Sequence, residues 1–198
     1  EKMQDDPVVL IDIDDESLQK IGQWPWSRDV LASLTDQTQL AAATAFDIVF
    51  AEPDRTGSSQ LQKIYSNDEA LVEILSRTVD HDDVFAQSIA NHGTVVLGLA
   101  PNNKTESQNY LGKHGMVIQG DDPKLFVQSY TGMQNNLYKL EAESAGLGSM
   151  SIGNDDVIVR TLPSFENING SLVPSLPLEI VRVAIGASTY QVKSSNAS

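Results

Sequence analysis

The stretch VVLIDIDDESLQKIGQWPWSRDVLASLTDQTQLAAATAFDIVF, residues 8–50, decides the fold of this chain. It opens with an apolar run at residues 8–11 that ends in acidic residues, a pattern typical of a buried strand leading into a loop. A helical pattern begins near Arg28, and a second apolar run covers residues 45–50. Because parallel strands need a crossover connection, strand, helix and strand in this order predict a parallel βαβ unit.

Apolar periodicity predicts the rest of an α/β fold. The predicted helices cover residues 28–42, 68–91 and 175–185. A third buried strand is predicted over 94–99, a hairpin over 147–162, and a further tight turn at the Asn-Gly pair 169–170. We therefore expect a central mixed sheet with a parallel βαβ N-terminal half and antiparallel C-terminal strands, flanked by helices.

Length and composition suit one globular domain. The chain has 198 residues, of which 40% are hydrophobic and 20% charged, and it can bury a substantial core. We expect a single domain over residues 1–190 and a linker or tag tail over 191–198. Because residue 1 is not methionine, we expect the chain to be an excised part of a longer protein.

The charge balance excludes several classes of partner. The net charge of −14 argues against nucleic acid, which is bound through Lys and Arg at phosphates, and against direct docking on anionic lipid. Solubility explains such acidity, and a divalent cation or cationic ligand is the alternative. With no cysteine and no histidine pair at metal-ligand spacing, we expect no cofactor and no metal site.

The most specific motif is Gly-x-Trp-Pro-Trp-x-Arg at residues 22–28, which contains the only two tryptophans of the chain. It follows an acidic strand end and precedes Phe-Asp-x-x-Phe-x-Glu-Pro at 46–53. Together with an Asp-x-x-Leu at 68–71 and a glycine-rich run at 148–163, these motifs resemble the second family of CHASE domains (cyclases/histidine kinases associated sensory extracellular). The matching residues are Asp12, Asp14, Asp15, Ser17, Leu18, Gly22, Trp24, Pro25, Trp26, Arg28, Phe46, Asp47, Phe50, Glu52, Pro53, Asp68, Leu71, Gly148, Asp156, Ile158, Val159, Arg160 and Pro163.

The resemblance implies the extracytoplasmic sensory domain of a bacterial membrane receptor. Such a domain lies on the periplasmic face of the inner membrane, held by transmembrane helices outside this chain. It relays an unidentified small-molecule or protein stimulus to a cytoplasmic cyclase or kinase, without catalysis of its own. The resemblance leaves open whether the chain forms a homodimer.

Two alternatives from other functional classes remain. Asp12 and Asp14 after an apolar strand also resemble the first motif of haloacid dehalogenase-type phosphatases, in which one aspartate is the nucleophile, the other the acid/base, and Mg²⁺ holds the phosphate. That chemistry also needs a lysine and a further acidic pair on later strands, and Asp155-Asp156 falls in a predicted turn. The second alternative is a ligand-free structural dimerisation module.

A ligand pocket, if present, is predicted at the carboxyl end of the parallel strands, where open α/β sheets collect binding sites. The residues placed there are Asp14, Asp15 and Trp24, with the loop after Phe50. Trp24 and Trp26 flank a proline, so they could form an aromatic platform for a ligand, or both could anchor the core.

A structural ion pair is predicted for Asp47, which lies within the apolar run 45–50. A carboxylate in a strand buried on both faces needs a partner, because an isolated buried charge is too costly. The predicted partners are Arg28, at the start of the helix that leads into this strand, and Arg160, in an apolar run of its own.

Overall fold

The computed structural model describes residues 8–104, 109–151 and 162–194, and it has a mixed α/β architecture. The helices are α1 (Asp15–Ile21), α2 (Arg28–Gln37), α3 (Ser58–Ile64), α4 (Glu69–Ser76), α5 (His81–His92), α6 (Tyr138–Glu143) and α7 (Leu176–Ala184). The strands are β1 (Thr44–Phe46), β2 (Val95–Asn102), β3 (Gly115–Gln119), β4 (Ser129–Tyr130), β5 (Gly132–Gln134), β6 (Gly146–Ser149), β7 (Phe165–Ile168), β8 (Ser171–Pro174) and β9 (Thr189–Lys193). None of the described helices is long and apolar enough to cross a membrane.

Strand β2 is the centre of the main sheet. It pairs in parallel with β1 and with β6, and its last residues pair antiparallel with β5. Helices α3 to α5 lie between β1 and β2 in the chain, so these two strands form a parallel βαβ unit. The predicted mixed sheet with flanking helices is therefore confirmed.

The side chains of β2 alternate between two hydrophobic clusters. Val95, Leu97 and Leu99 join the larger cluster, whereas Val96 joins the smaller one with residues of α7. All four side chains are fully buried. Because successive residues of a strand point to opposite faces, this alternation shows that the sheet is covered on both sides.

The larger cluster centres on three phenylalanines from β1, the following loop and α5. Phe46, Phe50 and Phe85 contact one another edge to face, with ring centroids 5.2 to 5.6 Å apart. Helices α2 and α5 pack over this group, and Ser88 Oγ of α5 donates to the Ala32 carbonyl of α2 at 3.0 Å. The cluster therefore fixes the start of α2 against the segment after β1.

Two smaller sheets accompany the main sheet, and Ile168 of β7 and Val173 of β8 join the larger cluster. Strands β3 and β9 pair in parallel, and β4, β7 and β8 form a three-stranded sheet. Asn169 and Gly170 join β7 to β8 with φ of 47° and 81°. A two-residue hairpin turn of this kind needs positive φ at both positions, so the predicted Asn-Gly turn is confirmed.

Helix α7 approaches β6 closely at Gly148. A Cβ at this position would meet the Leu176 Cα and would lie 2.8 Å from the Leu176 nitrogen. Both are backbone atoms, so the clash cannot be relieved by turning a side chain.

Gly148→Ala is therefore expected to destabilise the domain by about 1–3 kcal/mol, as overpacking in a well-packed core does. Urea unfolding measures the change. Gly112→Ala is the control, because the atoms nearest to its Cβ belong to the Tyr110 side chain and not to the backbone. Equal stability of Gly148→Ala and the wild type would contradict this close approach.

The first predicted strand is wrong. Residues 8–11 belong to no helix or strand, and these four residues are exposed by 55 to 88%. Strand hydrogen bonds come from a neighbouring strand, and this segment pairs with none of the described strands before α1 begins at Asp15. The parallel βαβ unit predicted for residues 8–50 thus occurs one strand later in the chain, as β1 to β2.

Several predicted boundaries also differ. Helix α2 ends at Gln37 rather than 42, and the helix predicted over 68–91 divides into α4 and α5 because Asp80 caps a new helix. Residues 191–193 belong to β9, which pairs with β3, so these three residues are part of the fold rather than of the predicted tail. Of the hairpin predicted over 147–162, residues 152–161 lie outside the described part of the chain.

Candidate functional site

A cleft of about 410 Å³ opens where the chain leaves β1. Its walls come from the Trp-Pro-Trp block before α2, from the loop that follows β1, and from the end of β5. The lining residues are Trp24, Pro25, Trp26, Arg28, Ile48, Val49, Phe50, Ala51, Glu52, Pro53, Asp54, Arg55 and Gln134. Small-molecule sites span about 300–1,000 Å³, so the cleft is large enough for a small ligand.

The two tryptophans form one wall of the cleft. Trp26 is buried, and its Nε1 donates to the Gly22 carbonyl at 2.7 Å. Trp24 is 36% exposed, and the two rings meet edge to face with centroids 5.7 Å apart. The peptide bond between Trp24 and Pro25 is cis. Trp26 is thus a core anchor, while Trp24 leaves part of its ring exposed on the lining of the cleft.

Arg28 is the buried cation of the site. Its backbone N–H donates to Asp54 Oδ2 at 2.6 Å, so a carboxylate lies at the positive end of α2. Its guanidinium lies over the Phe50 ring at 4.5 Å, and Nη2 donates to the Glu52 carbonyl at 3.3 Å. Nε is 3.5 Å from Asp82 Oδ1, an ion pair without a hydrogen bond between these two atoms.

Three buried carboxylates surround the start of α2. Asp54 Oδ1 accepts from Thr56 N–H at 2.8 Å, and Asp82 Oδ2 accepts from Asp54 N–H at 3.1 Å. Asp80 accepts from Ser59 N–H at 2.7 Å and caps α5 through Asp82 N–H at 3.0 Å. The carboxylates therefore tie three loops together through backbone donors.

Burial and hydrogen bonding act in opposite directions on these groups. Burial raises the pKa of Asp54, but the hydrogen bonds from Arg28 and Thr56 outweigh it and hold that pKa below its ordinary value. Burial also raises the pKa of Asp80, and the hydrogen bonds from Ser59 outweigh it in the same way. For Asp82 burial prevails over its hydrogen bond and over Arg28, so its pKa is raised. Burial lowers the pKa of Arg28 itself.

These shifts predict how Asp54 contributes to stability at different pH. A carboxylate with a lowered folded pKa stabilises above its unfolded pKa of about 3.9, and this contribution is lost as the pH falls through the folded value. Asp54→Asn should therefore lower the free energy of unfolding by about 1.5–3 kcal/mol at pH 7, with a smaller difference below pH ~4.

Urea unfolding at pH 7 and at pH 3 measures this difference. Asp47→Asn is the matched control, because Asp47 is exposed and has no hydrogen bond or ion pair within the described residues. A deficit of Asp54→Asn that is equal at both pH values would contradict the prediction.

The structure places the predicted ligand residues in different surroundings. Trp24 lines the cleft, which lies at the carboxyl end of β1 together with the loop after Phe50. Asp14 and Asp15 are exposed and are not among the lining residues; Asp14 caps α1 by accepting from Ser17 N–H at 2.8 Å. A ligand role for these three residues stays a prediction.

The predicted environment of Asp47 is wrong. Strand β1 ends at Phe46, so Asp47 lies beyond the sheet and is exposed rather than buried. Arg28 is paired with Asp82 instead. Arg160 lies outside the described residues, so its pairing stays a prediction.

Most of the polar residues of the cleft were not predicted from the sequence. Arg55 and Asp54 follow the Glu-Pro pair, and that position after a strand was their one sequence signal. Asp82 and Gln134 come from distant segments that folding alone brings near Arg28. Within the described residues, no group of three or more His, Asp or Glu side chains could hold a metal ion.

Comparison with known proteins gives one match. A family model described as the CHASE2 domain matches residues 1–196, nearly the whole chain. No curated protein matches, and no solved structure does.

Proposed function

The chain belongs to the CHASE2 domain family, a family of extracellular sensor domains in signalling proteins, and from this we propose that it senses a stimulus for a bacterial transmembrane receptor. In this proposal the chain lies on the periplasmic face of the inner membrane. Transmembrane helices outside this chain carry the signal to a cytoplasmic cyclase or kinase. CHASE2 is a sensory family without catalysis of its own.

The observation that supports sensing is the construction of the cleft from three separate segments. Its walls come from the block before α2, the loop after β1, and Gln134 at the end of β5. A ligand touching all three would bind best to one arrangement of them. Ligand binding can shift an equilibrium only through such differential contacts. The cleft is thus suited to couple occupancy to the positions of α2 and the central sheet.

The sensing proposal is tested with the receptor that contains this chain, in isolated membranes. A thermal-shift screen of the purified chain first selects stabilising compounds, and cyclase or kinase output is then measured with each. We expect a compound that stabilises the chain to change the output, and Trp24→Ala to weaken both effects. Output that never responds to a stabilising compound would contradict ligand sensing and favour the ligand-free dimerisation module.

The phosphatase alternative loses its structural premise. The motif requires Asp12 and Asp14 at the end of a buried strand, but residues 8–11 are exposed and unpaired. Asp14 is engaged as a helix cap, and Asp155-Asp156 lies outside the described residues.

We expect the isolated chain to show no Mg²⁺-dependent hydrolysis of a generic phosphate ester above the buffer rate. A colorimetric assay with p-nitrophenyl phosphate measures this, with Asp12→Asn as the matched variant. Hydrolysis that is present in the wild type and absent in Asp12→Asn would overturn the expectation.

A further inference from the structure

We infer that the cleft binds a small carboxylate with a flat apolar body, such as an aromatic acid; this rests on the proposed sensory function and names its ligand class. The inference begins from Arg28, whose side chain is only 10% exposed. A guanidinium has five N–H donors in a fixed fork. Within the described residues Nη2 donates to Glu52, Nε makes no hydrogen bond, and Nη1 has no acceptor.

A buried guanidinium with unused donors beside a cleft points to an anionic group. Arg28 lines the cleft, so a ligand oxygen there could accept from Nη1. The fork geometry of arginine matches a carboxylate, which can accept two parallel hydrogen bonds. Asp82 does not fill this role, because its Oδ1 lies 3.5 Å from Nε without a hydrogen bond and Asp82 is not among the lining residues of the cleft.

A second cation lies on the lining of the same cleft. Arg55 is exposed and forms no ion pair with any described residue. Asp54 is also on the lining, but Oδ2 accepts from the Arg28 backbone N–H and Oδ1 from Thr56 N–H. The Asp54 carboxylate is therefore engaged by protein donors, whereas Arg28 Nη1 and the Arg55 guanidinium make no hydrogen bond within the described residues.

The overall negative charge of the chain does not prevent anion binding at this place. The net charge is −14, but the Debye length is about 8 Å at physiological ionic strength, so distant exposed carboxylates are largely screened. Arg28 and Arg55 line the cleft directly, and of the two carboxylates on the same lining Asp54 already accepts hydrogen bonds from the backbone. Glu52 on the rim is exposed to solvent, where its effect is weaker.

The apolar wall specifies the remainder of the ligand. Trp24 offers a half-exposed ring, held edge to face against Trp26, and Ile48 and Val49 extend the apolar lining. A bare inorganic anion would leave this wall unused. An aromatic ring would bury apolar area against it and gain the aromatic contact. The volume of about 410 Å³ suits a molecule of this size.

Tryptophan fluorescence tests the inference directly, because the only two tryptophans of the chain both line the cleft. The chain is titrated at constant ionic strength with benzoate, with the neutral benzamide, and with the cationic benzylammonium. We expect benzoate to change the emission saturably and to bind roughly tenfold or more tightly than benzamide, since a charge-assisted hydrogen bond contributes about 1.5–3 kcal/mol. Benzylammonium should bind most weakly.

Variants locate the effect in the cleft. Arg55→Gln should weaken benzoate binding roughly fivefold or more and leave benzamide binding unchanged. Arg77→Gln is the matched control, because Arg77 is an exposed arginine paired with Glu73 on α4. Arg28→Lys keeps the charge but loses the planar fork of donors, so it should also weaken benzoate binding. Circular dichroism checks that this variant folds. If it does not fold, Arg55→Gln alone provides the test.

The outcomes separate the ligand class from the sensory function. Equal binding of benzoate and benzamide, or no saturable change with any probe on the folded chain, overturns the ligand class. A receptor output that answers another stimulus through the cleft would then leave the sensory proposal standing. Conversely, benzoate binding that depends on Arg55 supports the ligand class by itself. If receptor output is at the same time unchanged in every cleft variant, the sensory function is contradicted while the ligand class stands.

Discussion

Arg182→Met is expected to lower the free energy of unfolding by about 3–5 kcal/mol, because it leaves the buried Glu179 carboxylate without its cation. Glu179 is fully buried and Arg182 is 7% exposed. Arg182 Nη2 and Nε donate to the two Glu179 oxygens at 2.7 and 2.9 Å, a bidentate pair. The other donors of Arg182 bond the carbonyls of Ala187 and Ala145, which fastens α7 to β6.

A double-mutant cycle measured by urea unfolding separates the pair from its surroundings. Glu179→Gln combined with Arg182→Met should cost clearly less than the sum of the two single substitutions. Arg77→Met is the matched control, because its pair with Glu73 is exposed on both sides, and it should change stability by less than about 1 kcal/mol. Additive single costs would contradict a coupled buried pair.

Tyr190 connects the same carboxylate to β9. Its hydroxyl donates to Glu179 Oε2 at 2.6 Å, and its ring packs edge to face against Phe165 and His114. Burial and the neighbouring Glu179 raise the pKa of Tyr190 far above its ordinary value, so it remains a donor at every physiological pH. Strand β9 thus completes the surroundings of the buried Glu179 carboxylate, although residues 191–193 of this strand were predicted to belong to a tail.

Local signals in the sequence account for several local structures, of which the Asn-Gly turn was predicted. The Asn-Gly pair at 169–170 makes its hairpin turn, and Gly186 follows α7 at a positive φ of 68°. Asp68 and Asp80 cap α4 and α5 through their own side chains. In each case the deciding interaction joins residues a few positions apart, so the sequence pattern contains it.

Pairing between distant segments was not predictable in the same way. Residues 8–11 are all apolar and residues 45–50 are apolar except for Asp47, yet only the second run supplies a strand of the sheet, and then only as far as Phe46. A strand is fixed by the register it finds with β2, which no pattern within the run reveals. For the same reason Asp47 leaves the sheet.

The cleft shows the same difference between local sequence signals and contacts of distant segments. The motif at 22–28 contains Trp24 and Arg28, and both residues line the cleft. The partner of Arg28 is Asp82, at the start of α5 and 54 positions later in the chain. The apolar residues around Asp47 in the sequence suggested Asp47 as the partner of Arg28. The carboxylate that is actually buried is Asp82, at a helix start, where the sequence pattern predicts exposure.

Arg28→Met is expected to be the most damaging substitution in the cleft, lowering the free energy of unfolding by about 3–5 kcal/mol at pH 7. Arg28 lies between Phe50 and Asp82, and its loss leaves a carboxylate that is 2% exposed without a cation. The backbone hydrogen bond from residue 28 to Asp54 persists in the variant, so the cost reports the side chain alone.

The pH dependence of this cost has a defined sign. Burial already raises the pKa of Asp82, and removing Arg28 removes a group that lowers it. A carboxyl group whose pKa is raised in the folded state lowers the free energy of unfolding as the pH rises through the folded pKa, and protonation of the group restores it. The difference in the free energy of unfolding between the wild type and Arg28→Met should therefore be larger at pH 7 than at pH 5.

Asp82→Asn should cost less than Arg28→Met, because Arg28 keeps the Glu52 carbonyl, the Phe50 ring and the nearby Asp54. The double variant Arg28→Met with Asp82→Asn should cost less than the sum of the singles. Arg55→Met is the matched control: its side chain is exposed, so its stability should stay within about 0.5 kcal/mol of the wild type. Additive single costs, or a gap that does not narrow between pH 7 and pH 5, would show that Arg28 and Asp82 do not stabilise each other.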